Sequence, residues 1–374
     1  MWIVQFGRET YEHPEPVQRL AVGTTVTWPA AFIISAAGDS IAIVGTGDVE
    51  NVHGVGAYEE VIGYVKDVAQ PLRDVLDRLA PARIGLSYSI SDDSADNLAH
   101  GMYLMLQACL HGTAHADRLV SADDVLVALR ARKQPLEISR IRAAIDSTLN
   151  VFDRLEAIIA PGMTEIELAD AVRSMIRQAG ATEAWDPELD PIVNLGPGAK
   201  FGHVAPGPTA LEPGMLIHVD LGIKQESYCS DLQRMWYLLR EGEDAPPLDV
   251  LQPFDTVLSS LQAGFNTLRP GVAGWEVDAA ARTLITQAGY DEPEFALGHQ
   301  LGQTAHDGGC LLGPRWPRYG SRPEMRVEAG NVFTLEYALP SPAGTIGLEE
   351  DVLVTSTGAE YLSRPQTELV CLRR

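Results

Sequence analysis

The chain contains an internal repeat, and that repeat restricts its fold more than any other feature. PGMTEIELADAVRSMIRQAGA, beginning at Pro161, aligns without gaps to PGVAGWEVDAAARTLITQAGY, beginning at Pro270, and nine of the 21 positions are identical. Each copy follows a long helical segment and runs to a glycine, Gly180 or Gly289, as a helix stop should. Thr164 and Glu167 form a capping-box start for the first copy. The likeness continues beyond the helices. LEPGMLIHVDLG, from Leu211, resembles VEAGNVFTLEYA, from Val327; each is a glycine turn followed by a strand, and Asp220 falls opposite Glu336. Upstream, Gly202-His203 has a counterpart in Gly298-His299. A period of roughly 110 residues is too long for a solenoid. Two related halves packed about an internal pseudo-twofold axis are expected instead.

Ahead of the repeat, the chain alternates between strand-like and helix-like patterns. AAFIISAAG and SIAIVGTG read as buried strands, Tyr58 to Leu79 has helical spacing, ARIGLSYSI reads as a strand, and Ser94 to His111 as a helix. Such alternation predicts an α/β layer domain. It carries no phosphate-binding glycine loop and no ligand cluster; His100, His111 and His115 read as solvated or capping residues near helix ends. A helical series begins near Pro135 with LEISRIRAAIDSTLNVFDRLEAII, so the boundary falls between Ser121 and Gln134, giving domains of 1–128 and 129–374. With 374 residues, two domains are the natural expectation.

The charge balance excludes some partners. Lys plus Arg gives 28 against 51 Asp plus Glu, a formal net charge of −23. That field repels phosphate backbones and anionic membranes, so neither nucleic acid nor membrane is an expected partner. Cys109, Cys229, Cys310 and Cys371 are scattered without a CxxC pair, which fits reduced thiols. The N-terminal MWIVQFGRET meets charge at Arg8 and Glu9 and lacks the apolar stretch of a signal peptide. A cytoplasmic location is the expectation.

The chemistry lies in the second domain. MLIHVDLG and VFTLEYAL each place a carboxylate, Asp220 and Glu336, inside a run of aliphatic residues. Burying an unpaired charge costs several kcal/mol, and a divalent cation compensates well. Each half has a second carboxylate on its next strand-like segment: Asp231, 11 residues after Asp220, and Glu350, 14 after Glu336. Any one of them could be a surface carboxylate at a hairpin edge. Four at symmetric positions beside matching Gly-His pairs point instead to two ions roughly 3.5–4 Å apart. Oxygen-rich ligation with one imidazole favours manganese, cobalt, iron or zinc over copper.

These residues resemble the pita-bread metallopeptidases, specifically the Xaa-Pro dipeptidase (prolidase) and aminopeptidase P branch. HVDLG…YCSD resembles the two-aspartate motif of that family, GHQLGQTAHD its Gly-His-Gly-Ile-Gly…His-Glu motif, and VFTLEYAL with LEEDVLVT its two glutamate strands. The resemblance covers the whole chain and implies an α+β architecture: a creatinase-like α/β N-terminal domain before a pita-bread catalytic domain. It implies two divalent ions (manganese, cobalt or zinc, with iron also possible) held by Asp220, Asp231, His299, Glu336 and Glu350. It assigns catalytic roles to His203, 17 residues before Asp220; to His306, seven after His299; and to Glu336 as proton acceptor. The implied reaction is attack of a metal-bridging hydroxide on the N-terminal Xaa-Pro bond of a dipeptide or short peptide, by a homodimer.

The chain departs from the family pattern around the last glutamate. Proline-specific members carry Arg-Ile-Glu-Asp there, and aligned on Glu350 the arginine becomes Leu348. The family Glu-Pro-Gly-Ile-Tyr reads Glu336-Tyr337-Ala338-Leu339-Pro340, and the second glycine of Gly-His-Gly is Gln300. Arg315, Arg318 or Arg322 could supply a substitute cation. The competing expectations are a metal-dependent lyase or hydrolase of a small non-peptide substrate on the same fold, and a non-catalytic scaffold, against which the full ligand set speaks.

Overall fold

The computed structural model describes residues 1–8, 21–198 and 202–374. The chain folds as two compact units, Met1–Leu129 and Arg130–Arg374. The first holds a six-stranded mixed sheet in the order β4-β3-β2-β1-β5-β6. Its strands are β1 (Trp2–Gly7), β2 (Ala30–Ser35), β3 (Ser40–Gly45), β4 (Glu60–Tyr64), β5 (Ile84–Leu86) and β6 (Leu119–Ser121). Helices α1 (Val49–Val55), α2 (Ala69–Leu79) and α3 (His100–Leu110) complete it. The helical spacing from Tyr58 to Leu79 is thus only half correct. Glu60–Tyr64 is a strand, because Val61 and Ile62 pair in parallel with Ala42 and Ile43 of β3, and the helix begins at Ala69. The sheet's long-range pairing overrides the local periodicity.

The second unit, which α4 (Asp123–Ala131) leads into, is built twice over. α5 (Pro135–Ile158) and α6 (Glu165–Gln178) precede β7 (Thr182–Glu183), β8 (Ile192–Leu195), β9 (Leu216–Leu221), β10 (Ile223–Gln225), β11 (Tyr228–Cys229) and β12 (Leu232–Leu238). α7 (Leu248–Thr267) and α8 (Gly274–Gln287) precede β13 (Val332–Ser341) and β14 (Gly344–Val354), with short strands β15 (Ala359–Tyr361) and β16 (Val370–Leu372) at the end. The repeated segments become α6 and α8, 14 residues each. Glu167 and Glu276, each at the third helical position, accept the backbone N–H of Thr164 and Ala273 at 2.8 and 2.7 Å. The turns ahead of them match as well: Gly162 N donates to Leu211 O and Gly271 N to Val327 O, both at 2.8 Å.

The main sheet runs β13-β14-β12-β9-β8. Alternation along each strand sends side chains to opposite faces. On one face, Val193, Ile217, Val219 and Trp236 form a core with α5 and α6 residues such as Ile145, Phe152 and Val172. On the same side of β13 and β14, Phe333, Leu335, Tyr337 and Leu348 pack with Phe254, Val257, Val277 and Ala281 of α7 and α8. Around the middle of the sheet the helices therefore cover one face, and the other carries polar side chains. Among the described residues no helix is long and apolar enough to cross a membrane.

Candidate metal centre

Cross-strand pairing lines up one row of residues on the face opposite the helices. Ile192 of β8 faces Asp220 of β9; Asp220 faces Gln233 of β12; Gln233 faces Glu349 of β14; and Glu349 faces Glu336 of β13. Directly opposed residues in antiparallel strands share a face and lie a few ångströms apart. Asp231, two residues before Gln233, is on the same side. His299 joins from the loop after α8, where Gly298 and Gln300 make single bridges to Leu312 and Phe333. The approach requires glycine at 298, because a Cβ there would overlap the Thr334 carbonyl.

The result is a cavity of about 230 Å³ lined by Asp220, Asp231, His299, Glu336 and Glu349, with His203 and His306 on its wall and Trp185, Asp186, Leu189 and Ile192 beside them. His299 Nε2 lies 3.8 Å from Asp231 Oδ2 and 4.0 Å from Glu349 Oε1. Its Nδ1 faces the Gln300 carbonyl at 3.3 Å. That contact fixes the proton on Nδ1 and turns the Nε2 lone pair toward the carboxylates, as ligating imidazoles require. The His306 ring is 4.2 Å from that of His299, centre to centre, and 6.5 Å from that of His203.

Of the residues expected from sequence, Asp220, Asp231, His299, Glu336, His203 and His306 come together here. Glu350 does not, and its neighbour Glu349 stands in its place. Glu350 leaves the opposite side of β14 and is paired with Arg234 Nη2 at 3.0 Å, with Ser363 Oγ and Gln366 N donating to it as well. The cause is hairpin parity. β13 and β14 join through the two-residue turn Pro342-Ala343, with Ser341 opposite Gly344. Facing residues across such a turn are separated by odd numbers, so Glu336 meets Glu349; a step of 14 crosses to the other face. The departure from the family pattern moves by one residue too. Two positions before the site glutamate is Gly347, not Leu348.

Three further polar residues support the cluster, and sequence reasoning missed them. Gln233 donates from Nε2 to Glu336 Oε2 at 3.1 Å and to Glu349 Oε2 at 2.9 Å. Thr334 Oγ1 accepts from His299 N at 3.3 Å. His218 Nε2 sits 2.9 Å from Gln233 Oε1. The available signal was the two-residue period: His218 precedes Asp220 by two, and Gln233 follows Asp231 by two. Asp307, next to His306, is buried between Arg130 and Lys133. Burial alone would raise its carboxyl, but these two cations hold it below the usual range.

Of the three arginines considered as a substitute cation, Arg315 stacks on Trp275 and reaches Glu324, and Arg318 lies against Trp316 and Tyr319. Arg322 donates to Gly309 O, and its charge adds to the depression of the His299 pKa. None of them lines the cavity, and among the described residues no lysine or arginine does.

The electrostatics test whether a metal fits. Burial, then Glu349 and Asp190, push the Asp220 carboxyl well above its ordinary value. Burial with Glu349 and Asp220 does the same to Asp231 and Glu336, and burial lifts Glu349 to about 7. Burial, then His306, drive His299 well below its ordinary value. Unit charges 4 Å apart repel by about 4 kcal/mol even at an effective dielectric near 20, so these carboxylates resist ionising together without a countercharge. Asp220 Oδ1 and Glu349 Oε1 are buried without a hydrogen-bond partner. One donor atom each from Asp231, His299 and Glu349 falls within a mutual 4.8 Å. Oxygen-rich donors, a correctly oriented imidazole and orphaned acceptors fit divalent cations.

Doubled halves around a sheet face of carboxylates and one histidine define a class of metal-binding hydrolase scaffolds. More particularly, the chain belongs to metallopeptidase family M24, whose model matches residues 139–356. It is 31% identical to an uncharacterized peptidase of Staphylococcus aureus over 238 residues, 63% of each protein. The match thus spans under two thirds of that relative. A Staphylococcus saprophyticus peptidase, also uncharacterized, is 27% identical over 336 residues, 89% of this chain and 87% of its own. The fold matches an Xaa-Pro dipeptidase from Bacillus anthracis (TM-score 0.78, 23% identity, 99% and 95% of the two chains). It also matches a dipeptidase from Mycobacterium ulcerans (0.79, 23%, 100% and 93%) and an X-Pro aminopeptidase from Thermotoga maritima (0.76, 22%, 99% and 97%). The architecture is the α+β pita-bread fold behind a creatinase-like N-terminal domain.

Proposed function

We propose that this chain is a dinuclear metal-dependent peptidase that releases the N-terminal residue from Xaa-Pro dipeptides or short peptides. The observation that carries the reading is the convergence of Asp220, Asp231, His299, Glu336 and Glu349, with buried acceptors left unpaired. Solved structures named Xaa-Pro dipeptidase and X-Pro aminopeptidase share the fold and add support. Asp220, Asp231, His299, Glu336 and Glu349 would hold two divalent ions. When bound, such ions acidify water and polarise a carbonyl. Glu336, ionised beside the cations, would take the proton from the attacking water. His306 and His203, on the cavity wall, donate to the carbonyl oxygen as it gains charge. Trp185, Leu189 and Ile192 offer an apolar surface to the substrate side chain.

A second reading, a lyase or hydrolase of a small non-peptide molecule, draws on one observation. Gly347 stands where proline-specific relatives carry arginine, and no cation lines the described cavity. One assay separates the two. Metal-free protein is given manganese, cobalt or zinc and offered Xaa-Pro and Xaa-Ala dipeptides and tripeptides, with Glu336→Ala as control. Metal-dependent release from Xaa-Pro substrates, lost in the control, is expected. Metal uptake without cleavage of any peptide would move the second reading to first place.

A further inference from the structure

We infer that Gln233, oriented by His218 and given room by Gly347, is a positioning residue that presents Glu336 and Glu349 to metal; this rests on the metal reading above. Gln233 is 2% exposed and sits mid-row, paired with both Asp220 and Glu349. It is the one uncharged polar side chain in a row otherwise made of carboxylates and Ile192. Its two amide hydrogens go to one oxygen each of Glu336 and Glu349. Both carboxylates are thereby tied to a single rigid plane. On Glu349 the tied oxygen is Oε2, and the free Oε1 is the atom that faces His299. An amide can point its nitrogen at two carboxylates only if its oxygen is satisfied elsewhere.

His218 meets that requirement. It is 1% exposed, and its Nε2 lies 2.9 Å from Gln233 Oε1 while its Nδ1 lies 3.1 Å from Asn194 Oδ1. Gln233 Oε1 can only accept, so the Nε2 that faces it is the donor. Gly347 is the third part. A Cβ there would come within 2.6 Å of Gln233 Oε1 and 2.7 Å of His218 Nε2, closer than carbon can approach. The relay therefore occupies the volume that any side chain at 347 would need, and the amide of Gln233 orders two carboxylates without itself carrying a charge. Partners that orient metal ligands in this way are worth about 10–100-fold in metal affinity.

The test is Co²⁺ titration of metal-free wild type, Gln233→Leu and Gly347→Ala, followed by calorimetry and by the visible Co²⁺ spectrum. Near-ultraviolet circular dichroism reports folding of each metal-free protein. Gln233→Leu keeps the volume and removes the amide; Gly347→Ala keeps every polar group and displaces them. The expected result is folded variants that bind Co²⁺ at least tenfold more weakly, with an altered spectrum. A Gln233→Leu protein with wild-type affinity and spectrum would overturn the relay alone. Should Gln233→Leu not fold, an unchanged Gly347→Ala would overturn it equally. A folded wild type that binds no Co²⁺ would overturn the metal reading together with the relay.

Discussion

Neighbouring carboxylates at 349 and 350 leave β14 on opposite sides, and their variants should fail in different assays. Glu349→Gln removes a metal-facing oxygen, and the expected outcome is loss of metal-dependent hydrolysis by at least 100-fold in initial-rate assays. Glu350→Ala leaves Arg234 buried without its partner. Breaking such a pair costs about 3–5 kcal/mol, to be read from urea unfolding of the metal-free protein, while metal binding persists. The opposite assignment of the two phenotypes would place the wrong glutamate in the centre. Acidity gives a second handle. The folded-state value for Glu349, about 7, lies above its ordinary 4.5. The native state then holds the proton more tightly, so this group's stabilisation is complete below about pH 4.5 and is lost as the pH rises through about 7. Glu349→Gln has no such proton to lose. Without metal, its melting temperature should gain on that of wild type between about pH 5 and pH 8, and a gap that narrows or reverses would contradict the burial argument. Asp220 and Glu336 were legible in the sequence because each interrupts an aliphatic run, His299 because it follows a glycine as His203 does, and Asp231 because it lies on the next strand-like segment after Asp220. The choice between Glu349 and Glu350 needed the turn length, which Pro342-Ala343-Gly344 hinted at and spacing alone obscured.

Elements rather than single residues set how closely the His299 segment approaches the sheet. The His299 segment lies against β13 so tightly that Gly298 has no room for a methyl group. Thr334 N donates to His299 O at 2.9 Å, so the strand that carries Glu336 also places the imidazole. Gly298→Ala must push these two segments apart. It should weaken Mn²⁺ binding by at least tenfold, measured by calorimetry, and lower the melting temperature; a variant with wild-type metal affinity would show that the approach does not position the histidine. The repeated helices were readable because each copy carries its own stop and an acidic residue at the third position. Strand β4 was hidden, since the apolar spacing of Tyr58 to Leu79 fits a helix, and only parallel pairing with β3 decides otherwise. Gln233 and His218 escaped notice for a related reason. A polar residue within a strand says which face it shares, but not which neighbour it bonds.

For the whole molecule, duplication explains why one sheet face gathers four carboxylates from both halves: Asp220 and Asp231 from the first, Glu336 and Glu349 from the second. Such a concentration is costly in an empty cavity and favourable around cations, so the fold and its metals are expected to be thermodynamically linked. The pseudo-twofold was visible in the sequence, and with it the fold class. Which substrate the cavity accepts was not, because Trp185, Asp186 and Leu189 lie on a segment that repeats nothing in the second half. If these residues hold a pair of ions, the ions can be counted. Metal-free protein would be loaded with Mn²⁺, dialysed, and measured by elemental analysis beside Glu349→Gln. Two ions per chain in the wild type and fewer in the variant are predicted. A folded wild type that retains none would show that this cluster is not a metal centre.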